Sequence, residues 1–264
     1  LSGRYDDNSD FDDVGTFRAT TAWTAEGAGT RLHASFGTGQ KAPTFIERFG
    51  FFPDQFIGNP DLEPETSTGW EAGIEQPLWN DRVSLGATYF REELEDEING
   101  FAFDPETFLF TAENLDGTSE RQGVEVSALA RISATLRFSG SYTYTDATQP
   151  DGLTGEDTRE IRRPRHSASL NGDWRFLDSR AGLNVNVAYV GAQDDTFFEV
   201  TPPFGTRTVD LDSYYLASVA ASYRLTEQAS VYARVENLLD EDYENVYGYN
   251  TPGIGAYAGI RLTF

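Results

Sequence analysis

The chain contains no cysteine and no methionine, and Lys41 is the one lysine among its 20 basic residues. Without cysteine there is no disulfide framework, no thiolate zinc site and no cysteine nucleophile, and cystines give no mark of redox compartment. No run approaches the roughly 18 to 20 consecutive apolar residues of a membrane-crossing helix, which excludes a helical membrane protein and leaves a membrane barrel open. A basic surface is also missing. With 43 acids against 20 bases the 264 residues carry a formal charge of −23, so phosphate backbones of nucleic acids are not partners. The start shows no Met, no basic n-region and no apolar h-region, so the sequence reads as beginning after processing or inside a longer protein, with residues 1–5 (LSGRY) as the tail of a strand. No Pro/Ser-rich linker divides residues 1–264, which are read as one unit.

What the sequence does have is alternation. From Ser133 to Thr145, Ala134, Leu136, Phe138, Gly140, Tyr142 and Tyr144 alternate with Ser, Thr and Arg. That is a strand with one apolar and one polar face. Residues 167–176, 183–189, 214–223, 231–235 and 254–264 repeat the pattern. Weaker versions occupy 17–23, 32–36, 70–74, 83–89 and 124–132, and with the opening stub they make about twelve strands. No helical periodicity competes.

Connections alternate in length. Short turns are expected at 26–29, 79–81, 132–133, 177–179 and 226–228, and long polar loops with aromatic residues at about 41–65, 96–119, 148–163, 194–207 and 240–252. One end of the sheet is therefore tight and the other elaborate, the asymmetry of outer-membrane barrels rather than of soluble sandwiches. The polar face carries Ser, Thr, Asn, Gly and Arg, which suits a wet lumen. Trp23, Trp70, Tyr89, Tyr142, Tyr144, Trp174, Tyr189, Tyr215 and Tyr223 fall in the apolar register, as interfacial aromatic girdles do. The expected fold is an all-β, antiparallel transmembrane β-barrel whose apolar face meets acyl chains; a soluble sandwich is the blander alternative.

Several short motifs then resemble the C-terminal barrel portion of TonB-dependent outer-membrane receptors, most closely the vitamin B12 receptor-like branch. They are KAPT (41–44), NPDLEPE (59–65), RQGVE (121–125), RRPRH (162–166), VENLLD (235–240) followed by Asp242 and Tyr243, and the ending 259–264 (GIRLTF). The resemblance implies a 22-stranded barrel of which about twelve strands are present, with the N-terminal plug and its TonB-contacting motif absent. It implies a Gram-negative outer-membrane location and TonB-dependent uptake of a scarce nutrient, cobalamin first and an iron–siderophore complex second. Implied partners are outer-membrane lipid and lipopolysaccharide, the barrel-assembly machinery, TonB through the missing plug, and a small-molecule nutrient. Phe264, Leu262 and Ile260 resemble the terminal assembly signal, whose physical sense is strand addition at another sheet edge. A passive twelve-stranded channel, with Arg137, Arg175, Arg234, Glu236 and Arg261 setting selectivity, is the alternative.

Bond chemistry finds little support. His33 and His166 lie many strands apart, and no serine shows a nucleophile motif, so no enzyme activity and no catalytic residue are expected. Arg159, Arg162, Arg163 and Arg165 form the one basic cluster; it fits lipopolysaccharide phosphate, or pairing with the neighbouring acids Glu156, Asp157 and Glu160, and the pairing is preferred. Acid-rich loops such as 6–13, 92–97 and 240–244 have the hard oxygen ligands calcium takes, but no EF-hand spacing. Loop aromatics, Phe51, Phe52, Phe197, Phe198, Tyr247 and Tyr249 among them, are candidates for a ligand surface over the barrel mouth, against the alternative that they pack the loops together.

Overall fold

The computed structural model describes all residues except 10, 12, 51–54, 105–106, 152–153, 200–204 and 264, and leaves the side chains of 101 and 198 undescribed. Twelve antiparallel strands form the main path: β1 (Ser2–Asp6), β2 (Val14–Thr24), β3 (Arg31–Lys41), β4 (Glu65–Leu78), β5 (Val83–Glu95), β8 (Thr118–Arg131), β9 (Leu136–Pro150), β11 (His166–Phe176), β12 (Ala181–Val190), β15 (Tyr214–Arg224), β16 (Ala229–Glu236) and β17 (Gly255–Leu262). Each pairs with its neighbours in this order. These are the segments that alternation marked in the sequence.

The loops hold the remaining elements. A single helical turn, α1 (Phe45–Phe49), follows β3, and β6 (Ile98–Asp104) with β7 (Leu109–Asn114) forms a hairpin between β5 and β8. The short β10 (Asp157–Arg159) lies on β9, and β13 (Gln193–Glu199) with β14 (Gly205–Leu211) makes a second hairpin between β12 and β15. Regions expected as irregular loops thus contain strands. Their pairing satisfies the backbone amides that a long loop would otherwise expose. The helical turn escaped the periodicity reading because five residues are too few, yet Thr44 and Glu47 form a capping box that the sequence displays.

At the tight end the turns fall where expected, two of them with three consecutive left-handed residues: Trp79, Asn80 and Asp81 (φ 51°, 55°, 63°), and Leu177, Asp178 and Ser179 (φ 53°, 54°, 61°). One boundary moves. Thr135, expected inside a strand, belongs with Ser133 to the turn before β9, where the Ser133 hydroxyl accepts from the amides of Thr135 and Leu136 at 3.1 Å each.

Register places the apolar residues in rows. Trp23, Leu32, Ile74, Ala87, Val126, Tyr142, Ala168, Tyr189 and Tyr215 stand directly opposite one another from β2 to β15. The row begins at the turn end of β2 and finishes at the loop end of β15, the stagger that tilted barrel strands require. Among the described residues no second layer covers it. Leu170 is 54 % exposed and Ile260 69 %, while Leu136 and Val187 are half-buried. The surface totals 17560 Å², against about 11,500 Å² for a compact globular protein of this mass. The opposite face is polar and bonded across strands, as in Ser141 to Ser169 at 2.8 Å and Asn184 to Asn171 at 2.9 Å.

A cluster of buried apolar residues sits among the loops: Phe56, Leu62, Ile98 and Ala112, with Phe110 against it. A backbone approach near the loop end explains one motif residue. Gly123 of RQGVE lies where a Cβ would stand 2.0 Å from the Tyr144 carbonyl and 2.8 Å from the Phe90 ring.

Candidate functional site

The long loops form a layer over one end of the sheet, and the motif residues anchor it. In NPDLEPE, Asn59 donates to the Ala112 carbonyl at 3.0 Å and accepts from the Asp61 amide at 3.0 Å, and Leu62 enters the loop core. Glu65 accepts from the Ile98 amide and from Lys41, both at 2.9 Å, tying two loops to the root of β4. In VENLLD, the Asn237 amide donates to the carbonyls of Glu241 (2.9 Å) and Pro252 (3.3 Å) and accepts from the Glu241 N–H (2.9 Å), while Asp240 accepts from the Ile254 N–H at 2.9 Å. Buried backbone groups must be paired, and these side chains pair them.

Every arginine of the expected basic cluster is spent on a carboxylate. Arg159 meets Asp194 at 3.4 Å, Arg162 meets Asp195 at 2.8 Å, Arg163 meets Glu160 at 2.9 Å and Arg165 meets Asp146 at 3.3 Å. Only Glu160 is a sequence neighbour of the kind expected; Asp146, Asp194 and Asp195 come from β9 and β13, joined by folding. Arg121 of RQGVE closes the network, reaching Glu160 at 2.6 Å and Glu97 at 2.7 Å. Asp195 is wholly inaccessible and accepts from the Thr196 amide (2.7 Å), the Tyr247 amide (2.8 Å) and Arg162. Burial pushes its carboxyl up, but the bonds from Tyr247, Thr196 and Arg162 outweigh this and hold it below the ordinary aspartate value.

The aromatic candidates separate. Phe197 and Tyr247 meet edge to face at 5.2 Å, with the Arg207 guanidinium 5.0 Å from the Phe197 ring and 5.9 Å from Tyr247. This contact packs the β13–β14 hairpin against the loop before β17. Tyr249 is 71 % exposed. Phe51 and Phe52 lie outside the described residues, as do Phe264 and the side chain of Phe198. Ile260 and Leu262 are exposed on the apolar face of β17.

A residue that sequence reading passed over stands out. Arg48, in α1, is the one loop-side cation without a carboxylate partner among the described residues. Its guanidinium lies 4.6 Å from the Phe11 ring and 5.0 Å from Phe49, its Nη2 reaches the Pro60 carbonyl at 3.5 Å, and its buried Nε has no partner. It borders a cavity of about 400 Å³ lined also by Phe49, Gly50, Phe56, Ile57, Gly58 and Pro60, beside exposed Phe45 and Ile46. An apolar hollow bordered by a guanidinium that no carboxylate neutralises suits an anionic ligand with flat or aromatic groups. The signal in the sequence was the capping box, which fixes where Arg48 sits.

Among the described residues no three His, Asp or Glu side chains converge as metal ligands. The histidines stay apart: His33 lies 3.9 Å from the Glu75 carboxylate, and His166 Nδ1 bonds the Tyr142 hydroxyl at 2.8 Å.

Residues 1–238 match the family model described as TonB dependent receptor-like, β-barrel. Among solved structures the chain is similar to the siderophore receptor PirA from Acinetobacter baumannii, with 21 % identity and a TM-score of 0.77, covering 99 % of this chain and 43 % of that one. A mutant of the ferric enterobactin receptor PfeA from Pseudomonas aeruginosa, in complex with enterobactin, gives 21 %, 0.76, 98 % and 42 % in the same order. The copper transporter OprC gives 16 %, 0.73, 96 % and 40 %. The chain thus spans less than half the length of these proteins.

Proposed function

This chain belongs to the TonB-dependent receptor-like β-barrel family of the Gram-negative outer membrane, and from that premise we propose that it supplies wall and loop surface for TonB-dependent uptake of an iron–siderophore chelate. The observation that carries the ligand class is Arg48 over its loop-side cavity. On a chain of charge −23, an anionic chelate needs a local cation that no carboxylate neutralises. The paired arginines do not offer one. The names of PirA and PfeA as siderophore receptors support the same class and favour it over cobalamin, the ligand expected first from sequence. The barrel does no bond chemistry in this reading. Lipid meets the apolar face, and the barrel-assembly machinery captures β17 by its exposed alternate residues Ile260 and Leu262.

The test is binding of ferric enterobactin to the receptor in detergent. Arg48→Gln is expected to weaken it about tenfold, worth about 1.4 kcal/mol, whereas Arg4→Gln, at an exposed paired arginine, leaves it unchanged. Saturable cobalamin binding with none for the ferric chelate contradicts the reading.

A further inference from the structure

We propose that the polar face of the sheet carries, at its short-turn end, an anion-binding pocket formed by Arg175, Arg224 and Arg261 with Arg180 at its mouth, which takes a phosphate or carboxylate group. A cavity of about 260 Å³ opens there, and all four arginines line it together with Gly182 and Ser222. Register puts the three strand arginines on one face. Arg175 of β11 stands opposite Gly182, Gly182 opposite Ser222, and Arg224 of β15 opposite Ser230, which in turn faces Arg261 of β17. This is the face that bears Asn171 and Asn184, not the apolar one. At Gly182 a Cβ would stand 3.0 Å from the Ser222 hydroxyl, so glycine leaves the floor of the hollow open. Arg180 is fixed at the rim by bonds to the carbonyls of Arg224 (3.4 Å) and Leu225 (3.3 Å) and lies 5.3 Å from the Tyr223 ring.

The charge distribution makes the cluster notable. Cations of the loop half, Arg48 apart, meet carboxylates, yet none of these four has an ion pair among the described residues. Asp178 and Glu227 occupy the adjoining turns and pair with none of them. A guanidinium cannot shed its proton to relieve repulsion, so the cluster stays fully charged. Gathering unopposed positive charge in a chain of −23 runs against chance pairing. An oxyanion bridging the forks supplies the missing acceptors, since planar guanidinium groups bind carboxylate and phosphate oxygens in pairs.

Isothermal titration of the purified full chain in detergent at low salt, with inorganic phosphate and separately with a tetraglutamate peptide, tests this pocket. Saturable heat is expected, reduced at least tenfold in an Arg175→Gln/Arg261→Gln double variant and unchanged in Arg4→Gln, at an exposed arginine already paired with Asp6. If the double variant does not fold, Arg224→Gln and loss of the heat on adding competing sulfate to the wild type give the same reading. Tighter phosphate binding identifies a free oxyanion as occupant, and tighter peptide binding a carboxylate-bearing segment; either supports the pocket. No saturable heat from either probe, or full phosphate affinity in the variants, overturns it.

Discussion

Gly123→Val is expected to stop the sheet from closing between β8 and β9. The new Cβ would lie 2.0 Å from the Tyr144 carbonyl oxygen, and that atom belongs to the backbone of the paired strand, so no rotamer change moves it. The Phe90 ring, 2.8 Å away, blocks the other direction. Overpacking in a well-fitted site costs about 1–3 kcal/mol, and a backbone clash falls at or above the top of that range. The check is heat-modifiable gel migration and urea unfolding in detergent. The variant should lose its folded band or at least about 3 kcal/mol of stability. Gly15→Ala serves as control, because nothing lies within 4 Å of its Cβ position, and it should shift stability by no more than about 0.5 kcal/mol.

Asp195→Ala is expected to release the β13–β14 hairpin and the loop before β17 together. The carboxylate holds Arg162, the Tyr247 amide and its own neighbour's amide at Thr196. Removing it leaves two amides without their acceptor, while the exposed Arg162 guanidinium is solvated by water, a loss of about 1–3 kcal/mol of local stability for each amide. Amide exchange in 193–211 and 240–252 should speed up while the central strands β9 and β11 keep their protection. The same group sets a pH dependence. Its carboxyl titrates below the ordinary value in the folded loops, so its contribution is complete above the unfolded pKa of about 3.9 and is lost as pH falls through the lower folded value. Protection of these loops in the wild type, taken against the intrinsic exchange rate at each pH, should therefore fall on acidification below about pH 4, and that of Asp195→Ala should be nearly insensitive across that window. Unchanged loop protection in the variant would remove Asp195 as the pin.

The sheet was legible in the sequence because each strand has one face for lipid and one for water, so its period of two survives along the whole crossing. Leu170 and Ile260 announce their face by their alternate neighbours alone. The loop layer was legible only in position. Nothing local says that Arg162 will find Asp195, or Arg165 find Asp146, since those partners arrive from other strands. Pairing within the run was the expectation, and it held for Glu160 with Arg163. Asn59 and Asn237 could be marked as motif residues, but their role as backbone pins depends on which carbonyls the fold brings to them. Arg48 was missed for the complementary reason: its distinction is the lack of a partner, which no sequence displays. The anion pocket needed register, because Arg175, Arg224 and Arg261 are far apart in the chain and meet through four strand pairings.

The central claim is that the apolar face of these strands meets hydrocarbon and the polar face meets water. The absence of cysteine permits a direct measurement. Single cysteines placed at Ala168, Ser169, Leu170 and Asn171 in turn, spin-labelled in the receptor reconstituted into lipid, report accessibility to dissolved oxygen and to a water-soluble nickel chelate. Positions 168 and 170 should favour oxygen, and 169 and 171 the chelate, with a period of two. Four labels shielded from both reagents, or all four open to the chelate, would contradict the membrane-facing assignment.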